Sequence, residues 1–196
     1  MKKTSYIKRT LLQVTFVAAV LVMASCSNNQ KPKDTKNVAE EHNDAKFNDN
    51  RQEKEAQFLV NAAEINLEEI QLAQLAQQNG TTAHVKELGK MMETAYTKSQ
   101  NDLTALAKTK MITIPTSPTD NALEAFKKLN EKSGTDFDKA YADLMVSKHK
   151  DAIATFEKAS TDENDPDIKN WATTSLPDLR KHLDHSIDCQ EKCKNM

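Results

Sequence analysis

Four bulky polar side chains interrupt otherwise apolar helix faces in this sequence. Each apolar face is marked by residues spaced alternately three and four apart, the pattern of an amphipathic helix. We count residues along each helix from the end of the molecule where the first two long helices are connected. All four polar residues then lie about ten to fourteen residues from that end, within roughly one helical turn of one another. Because a buried polar group without a partner is costly, we expect them to meet one another, a water molecule or a metal ion. The four residues are Glu69, Tyr96, His149 and His182.

Two chemistries fit this set. Glu69, His149 and His182 offer one carboxylate and two imidazoles, which suit a single zinc, copper or iron ion. Tyr96 and Met92 would then lie beside the ion as pocket neighbours. In the alternative, Glu69 pairs with an imidazole in a buried hydrogen-bonded cluster that requires no cofactor. The pattern favours this cluster, and a single transition-metal ion is the second hypothesis.

Neither a di-iron centre nor a nucleophilic enzyme is indicated by the motifs. A di-iron carboxylate bundle uses Glu-x-x-His on two of its helices. Here Val146 and Leu179 stand three residues before the two histidines, and neither can bind a metal. The sequence has no G-x-S-x-G motif, no P-loop and only three glycines, so it offers no glycine-rich cradle for phosphate. We therefore expect no catalytic residues and a binding or structural role.

A second set of reactive side chains lies near the C-terminus. His182, His185, Cys189 and Cys193 follow one another at intervals of three and four, which places them along one helix face. The two cysteines could form a local disulfide, remain thiols or bind a soft metal. An oxidising compartment favours the disulfide, although cysteines four apart on a helix are near the upper limit of bridging distance. The C-x-x-x-C spacing is not that of a thioredoxin-like redox centre.

The first 25 residues have the features of a lipoprotein signal peptide. Four basic residues within the first nine precede an apolar run over residues 11–22, which is too short for an ordinary spanning helix. The run ends at Met23-Ala24-Ser25-Cys26, and small residues before a cysteine are what lipoprotein processing recognises. Cys26 would carry lipid, including palmitate, and anchor the chain in the membrane. Ser27 after it favours, in Gram-negative bacteria, the outer membrane, with the domain facing the periplasm or the cell surface.

Composition narrows both the fold and the partners. The 196 residues include 27 Lys+Arg and 29 Asp+Glu, and without a basic stripe we expect no nucleic-acid binding. Three Gly and five Pro, among abundant Ala, Leu, Glu, Lys and Gln, predict an all-α protein. Residues 26–49 are polar and predict a flexible tether, followed by one domain over residues 50–196. A protein partner is not identified by any of these features.

Four long helices are predicted in this domain. The first covers about 50–78 and stops at Gly80 in a left-handed conformation, and the second covers about 83–111. The third covers about 135–160 with Asp138 in its first turn, and the fourth runs from Asp165-Pro166 to about residue 194. The long connection between the second and third holds a short helix over about 121–132, capped by Asp120 or Asn121. This order describes a ferritin-like four-helix bundle running up-down-down-up, with a plain up-down-up-down bundle as the alternative.

Short motifs on these helices resemble a known bacterial family. They are Glu69-Ile70-Gln71-Leu72, Leu75-Ala76, Val85-Lys86, Met92, Phe137-Asp138, Tyr141, Met145-Val146, His149, Leu176-Pro177, Leu179 and His182-Leu183. Over about residues 55–187 the chain resembles the domain-of-unknown-function 4142 family. The resemblance implies a ferritin-like fold and export, often as a lipoprotein, without assigning an activity. Where the family reads Met-x-x-Asp-His, this chain has Ala95 and Tyr96, and Lys148 replaces the acidic residue before the histidine.

Overall fold

Residues 33–196, the part of the chain that the structure, a computed structural model, describes, form six helices joined by turns and irregular connections. These residues contain no strand and form α1 (Thr35–Lys46), α2 (Asn50–Asn79), α3 (Ala83–Lys110), α4 (Asp120–Asn130), α5 (Gly134–Asp162) and α6 (Pro166–Lys194). The predicted all-α class is therefore confirmed. The predicted signal peptide and its lipidated Cys26 lie outside the described residues. Within residues 33–196, no helix combines the length and apolarity needed to cross a membrane.

Helix α1 occupies half of the stretch for which a flexible tether was predicted. Its anchor is Asn43, which is buried and forms two 2.8 Å hydrogen bonds with the backbone N–H and C=O of Thr113. Ala39 and Phe47 are buried beside it. The tether is therefore corrected to a docked helix over Thr35–Lys46, and the compact unit begins at residue 33 rather than 50. The local composition did not indicate this helix, because its main anchor is an amide bonded to distant backbone.

A tight turn at Gly80 joins α2 and α3 into an antiparallel pair. Gly80 has φ −56°, so the predicted left-handed conformation is wrong. A Cβ at this position would lie 2.5 Å from the Ala76 carbonyl oxygen and 2.8 Å from Val85 Cγ1. Gly89 is similar, because a Cβ there would lie 2.7 Å from the Ala73 carbonyl oxygen. Both glycines are therefore required by the close approach of α2 and α3.

The connection between α3 and α5 contains α4 and packs on the bundle. Thr119 caps α4, one or two residues before the predicted cap: its hydroxyl accepts a 3.3 Å hydrogen bond from the Ala122 amide. The same hydroxyl donates to Glu64 Oε1 on α2 at 2.9 Å. Ala122 and Leu129 are buried, and α4 contacts α2 and α5. The connection therefore returns the chain to the end of the molecule where α3 begins.

Contacts between helix ends show the directions of the four long helices. At one end, the Asp138 carboxylate near the start of α5 accepts four hydrogen bonds of 2.7 to 3.0 Å from Thr81 and Thr82, just before α3. At the other end, Lys110 at the end of α3 pairs at 2.6 Å with Asp165, just before α6. Helices α3 and α5 therefore run in the same direction, and α2 and α6 run opposite to them.

Asp138 was predicted to lie in the first turn of its own helix, α5, but its carboxylate bonds instead to Thr81 and Thr82, the two residues before α3. Neither Thr82, the N-cap residue of α3, nor Ser133, that of α5, caps its own helix through its side chain. Burial by itself would raise the pKa of Asp138, but the hydrogen bonds from Thr81 and Thr82 outweigh it and hold this pKa below its ordinary value. The carboxylate is therefore ionised at the positive end of α3, where it satisfies amides that the helix leaves unpaired.

Helix α6 begins as predicted. The Asp165 side chain accepts hydrogen bonds from the amides of Asp167 and Ile168, and Pro166 takes the first helical position, where its missing N–H costs nothing. The helix continues past Pro177 to Lys194. The inner face of α6 packs against the other helices. Its buried residues include Leu179, Ser186, Cys189 and Cys193.

Candidate functional site

Tyr96 and His149 form a buried hydrogen-bonded pair between α3 and α5. The Tyr96 hydroxyl lies 3.0 Å from Nε2 of His149, and Nδ1 of the same ring lies 2.8 Å from the Met145 carbonyl oxygen. A carbonyl only accepts, so Nδ1 carries the proton and Nε2 accepts the hydrogen bond that Tyr96 donates. The backbone of α5 thereby sets the tautomer of its own histidine, and both ring nitrogens are engaged.

His182 on α6 completes a triangle of rings. Its ring centroid lies 5.7 Å from those of Tyr96 and His149, which are 5.8 Å apart, and the two imidazole planes are perpendicular. Nδ1 of His182 is buried and has no hydrogen-bond partner. We call Tyr96, His149 and His182 the ring cluster. The structure thus brings together three of the four polar residues that the sequence placed at one level, and leaves one imidazole nitrogen unpaired.

The ring cluster is uncharged at neutral pH. Burial lowers the pKa of His149 to about 4, although the hydrogen bond to Met145 opposes this shift. Burial also lowers the pKa of His182 and raises that of Tyr96 well above its ordinary value. Both imidazoles are therefore neutral, and the phenol keeps its proton.

Glu69, the fourth predicted member, lies on α2 with 1% of its surface exposed. Burial, and then the neighbouring Glu68 carboxylate, raises the pKa of Glu69 to about 8, and the Lys148 ammonium opposes this shift. Lys148 is itself paired with Glu68 at 2.7 Å. Oε2 of Glu69 has no hydrogen-bond partner. The expected carboxylate–imidazole pair is thus absent, because His149 bonds to Tyr96 instead.

Tyr141 on α5 is an interior polar residue that was not among the predicted site residues. Its hydroxyl is buried without a hydrogen-bond partner. Burial, and then the charges of Glu69 and Cys189, raises the pKa of Tyr141 well above its ordinary value. Tyr141 lies four residues before Met145 and eight before His149, so helical periodicity puts all three on the same helix face. This spacing could have identified Tyr141 from the sequence.

A cleft of about 500 Å³ between α3 and α6 opens onto the ring cluster. Tyr96 and His182 form part of its wall, and Phe156 and Trp171 pack against each other beside them with ring centroids 5.3 Å apart. Its remaining apolar lining is Ile65, Met91, Ala95 and Leu179, and its charged rim is Lys98, Asp102, Asp178 and Lys181. A small molecule that enters the cleft from solvent would therefore contact apolar side chains along its walls, and Tyr96 and His182 of the ring cluster.

The hypothesis that Glu69, His149 and His182 bind a metal ion stays a prediction. Two donor atoms, Oε2 of Glu69 and Nδ1 of His182, are buried and unpaired. His149 would have to release the hydrogen bond from Tyr96, or the one to its own helix backbone, before it could bind an ion. Met92, the expected pocket neighbour, is fully buried on α3.

Cys189 and Cys193 are buried free thiols in the structure rather than the disulfide that the sequence favoured. A helix holds Cβ atoms four residues apart at about 5–6 Å, whereas a disulfide requires about 3.5–4.5 Å. His84 at the start of α3 lies beside them, with Nε2 3.4 Å from Sγ of Cys193. Sequence reasoning missed His84, because no local pattern links residues 109 positions apart.

Comparison with known protein families gives a match. No curated protein and no solved structure matches the chain. A family described as a domain of unknown function matches residues 37–188, more than half of the chain. The matched range runs from α1 almost to the end of α6 and includes Glu69 and the whole ring cluster. The resemblance found in the sequence motifs is thereby confirmed, and the chain belongs to the DUF4142 family of domains of unknown function.

Proposed function

We propose that this protein is an exported, lipid-anchored component of the cell envelope whose bundle binds a small molecule without catalysing a reaction. The bound molecule is largely aromatic or apolar and directs one polar group towards Tyr96 and His182. The observation that carries the proposal is a cleft of about 500 Å³ ending at a buried ring cluster with an unpaired imidazole nitrogen.

Lipid anchoring rests on the sequence before and at Cys26. We expect the mature wild-type chain to begin at a diacylated Cys26 and to incorporate a labelled palmitate, with fractionation to the outer membrane. Cys26→Ala should lose the label completely, because no other residue of the chain follows a signal-peptide apolar run, whereas the matched cysteine variant Cys189→Ala should keep it. Mass spectrometry of the mature N-terminus and gel fluorography measure both. An unlabelled wild type, or a labelled Cys26→Ala chain, would refute the anchor.

A ferritin-like arrangement of the bundle is supported by the helix directions. Helices α2 and α3 form one antiparallel pair, α5 and α6 form the other, and the long connection through α4 joins them. Bundles of this kind place ligand and metal sites in the core between facing helices. The ring cluster, which draws on α3, α5 and α6, occupies such a position.

Binding of a small molecule is supported by the size and chemistry of the cleft. Ligand pockets in proteins are clefts of roughly 300–1,000 Å³ with mostly apolar walls and a few polar groups that orient the ligand. Phe156 and Trp171 supply flat apolar surface, and Tyr96 and His182 supply the polar groups. His182 lines the cleft and its buried Nδ1 has no hydrogen-bond partner, so a ligand hydroxyl that reached this nitrogen after a rotation of the ring would satisfy it and add to the affinity.

A non-catalytic role is supported by the protonation states of the ring cluster. General acid–base catalysis works best when the pKa of the group is near the working pH. The pKa of His149 is lowered to about 4, and its two nitrogens are already bonded to Tyr96 and to the Met145 carbonyl. Tyr96 is held as a neutral hydrogen-bond donor. These groups are arranged to orient a ligand rather than to move its protons.

The test is a titration of the full-length protein in detergent with 2-naphthol, using its methyl ether as the probe that lacks the hydroxyl. Trp171 is the only tryptophan of the chain, so its fluorescence reports the cleft directly. We expect one 2-naphthol per chain, with quenching of Trp171. His182→Leu should weaken binding of 2-naphthol about fivefold and leave the ether almost unchanged, because one hydrogen bond is worth about 1 kcal/mol.

Two further variants sharpen this experiment. Ala95→Phe adds a ring to the cleft wall and should abolish binding of both probes, while His42→Ala, an exposed histidine on α1, should change neither. Binding that survives Ala95→Phe would place the probe elsewhere and refute the cleft. Wild-type protein that binds neither probe beyond empty micelles would refute the proposed ligand class.

A second candidate function is metal binding by Glu69, His149 and His182, with a stress or redox role. The unpaired atoms of Glu69 and His182 favour it, because buried polar groups without partners often mark a site for a water or an ion. This reading predicts one zinc, copper or iron ion per chain that His149→Ala removes.

A further inference from the structure

We propose that His84, Cys189 and Cys193 form a second, separate site, one that binds a zinc ion or a metal of similar softness. One donor atom from each residue lies within 4.8 Å of the other two, and within residues 33–196 this is the group of three or more His, Cys, Asp or Glu side chains drawn together in this way. The proposal does not depend on the cleft or on the ring cluster.

The fold brings the three residues together from two distant parts of the chain. Cys189 and Cys193 stand four residues apart on α6, so their side chains share one face of its last turns. His84 is the second residue of α3, immediately after the tight Gly80 turn. Because α6 runs opposite to α3, the end of α6 lies next to the start of α3, which places His84 over the two sulfurs.

The distances suit direct coordination. Zinc binds sulfur at about 2.3 Å and histidine nitrogen at about 2.0–2.1 Å in tetrahedral geometry, which puts such a nitrogen and sulfur about 3.6 Å apart. Nε2 of His84 is 3.4 Å from Sγ of Cys193. Sγ of Cys189 lies within 4.8 Å of a ring nitrogen of His84 and of Sγ of Cys193, so the two sulfurs are also neighbours. An ion could therefore be held with small side-chain adjustments.

The electrostatic environment favours a divalent cation. Cys189 and Cys193 are both buried and both free thiols. A divalent ion with two thiolates and one neutral imidazole has no net charge, which suits a buried position.

The binding step conserves atoms and involves no redox change. Each thiol loses its proton to solvent, two sulfur–metal bonds and one nitrogen–metal bond form, and two protons are released for each ion bound. Thiolate and imidazole ligands select zinc over magnesium or calcium, which prefer oxygen. A fourth ligand has room to enter from a small adjoining cavity of about 170 Å³, lined in part by Glu87, His185 and Asp188.

The test is a titration of the full-length chain with zinc and with cobalt, in detergent and under a phosphine reductant that keeps the thiols reduced. A Cys26→Ala background removes the one other cysteine, since the chain has three. We expect one ion per chain, with cobalt showing thiolate charge-transfer bands and the visible bands of a tetrahedral ion. Cys189→Ser and Cys193→Ser should each abolish these bands, and His84→Ala should weaken binding at least tenfold.

Control variants distinguish this site from the candidate metal site at Glu69, His149 and His182. His42→Ala, at an exposed histidine on α1, should bind like the parent chain. Loss of the ion in His149→Ala with retention in Cys189→Ser would instead assign it to Glu69, His149 and His182 and overturn the proposal. No ion in the parent chain would overturn it too. If a serine variant fails to fold, zinc protection of Cys189 and Cys193 from alkylation in the wild-type chain decides: unprotected thiols refute the site.

Discussion

Replacing Glu69 with glutamine is expected to raise the free energy of unfolding at pH 8 by about 3 kcal/mol relative to its effect at pH 5. Glutamine keeps the shape of the protonated carboxyl group and removes the proton equilibrium. The prediction follows from the burial of Glu69, which is 1% exposed and whose Oε2 has no hydrogen-bond partner.

The direction of this effect comes from the two pKa values of Glu69. In the folded protein its pKa is raised to about 8, and in the unfolded chain it lies near 4.5. Between these values the folded state holds a proton that the unfolded state has lost. The stability associated with Glu69 is therefore fully present below pH 4.5 and is lost as pH rises through 8. Glutamine does not titrate, so its advantage grows as pH rises from 4.5 to about 8.

Urea unfolding at pH 5 and pH 8, followed by far-UV circular dichroism, measures the difference. The matched control is Glu53→Gln, an exposed glutamate on the same helix, for which we expect a change below about 0.5 kcal/mol at both pH values. An equal effect of Glu69→Gln at both pH values would show that Glu69 does not bind a proton on folding.

Breaking the Tyr96–His149 pair from either side is expected to cost about 2 kcal/mol of stability, whereas removing both partners costs little more than one. Tyr96→Phe leaves Nε2 of His149 buried without its donor. His149→Leu leaves the Tyr96 hydroxyl buried without its acceptor. In the double variant neither polar group remains, so the coupling energy from the cycle should be about 2 kcal/mol. Strictly additive effects would mean that the two groups are not bonded.

The pH dependence of the same variants gives a second, independent readout. The pKa of His149 is lowered from 6.5 to about 4 in the folded state, so the unfolded chain binds the extra proton between these values. The stability associated with His149 is present above pH 6.5 and lost as pH falls through 4, by about 3 kcal/mol. His149→Leu should remove this acid-side loss, and Tyr96→Phe, which keeps the histidine buried, should retain most of it.

Together, Glu69 and His149 predict the shape of the wild-type stability profile. Their titrations have opposite signs, so they offset each other between about pH 4.5 and 6.5. Above that range the Glu69 term acts alone and stability falls. A carboxylic acid and an imidazole buried in one interior therefore make the bundle most stable in mildly acidic solution.

The sequence by itself was sufficient for the helical class and for the approximate extents of the long helices. Apolar residues at steps of three and four specified the long helices, and Asp165-Pro166 specified the start of α6, because capping and helical periodicity act within a few residues. The same periodicity put Tyr96, His149 and His182 on inward faces. The membership of the family could also be read from short motifs spread along these helices.

What only the tertiary structure decided are the pairings between distant segments. Tyr96, not Glu69, is the partner of His149. The Asp138 carboxylate bonds to Thr81 before α3 rather than to the first turn of α5, and His84 lies beside Cys193. Helix α1 was missed for the same reason, since Asn43 is anchored by backbone 70 residues away. The periodicity of a helix predicts the direction in which each side chain points around the helix axis. It does not predict how a neighbouring helix is rotated or shifted along that axis. A hydrogen bond between two helices depends on both the rotation and the shift.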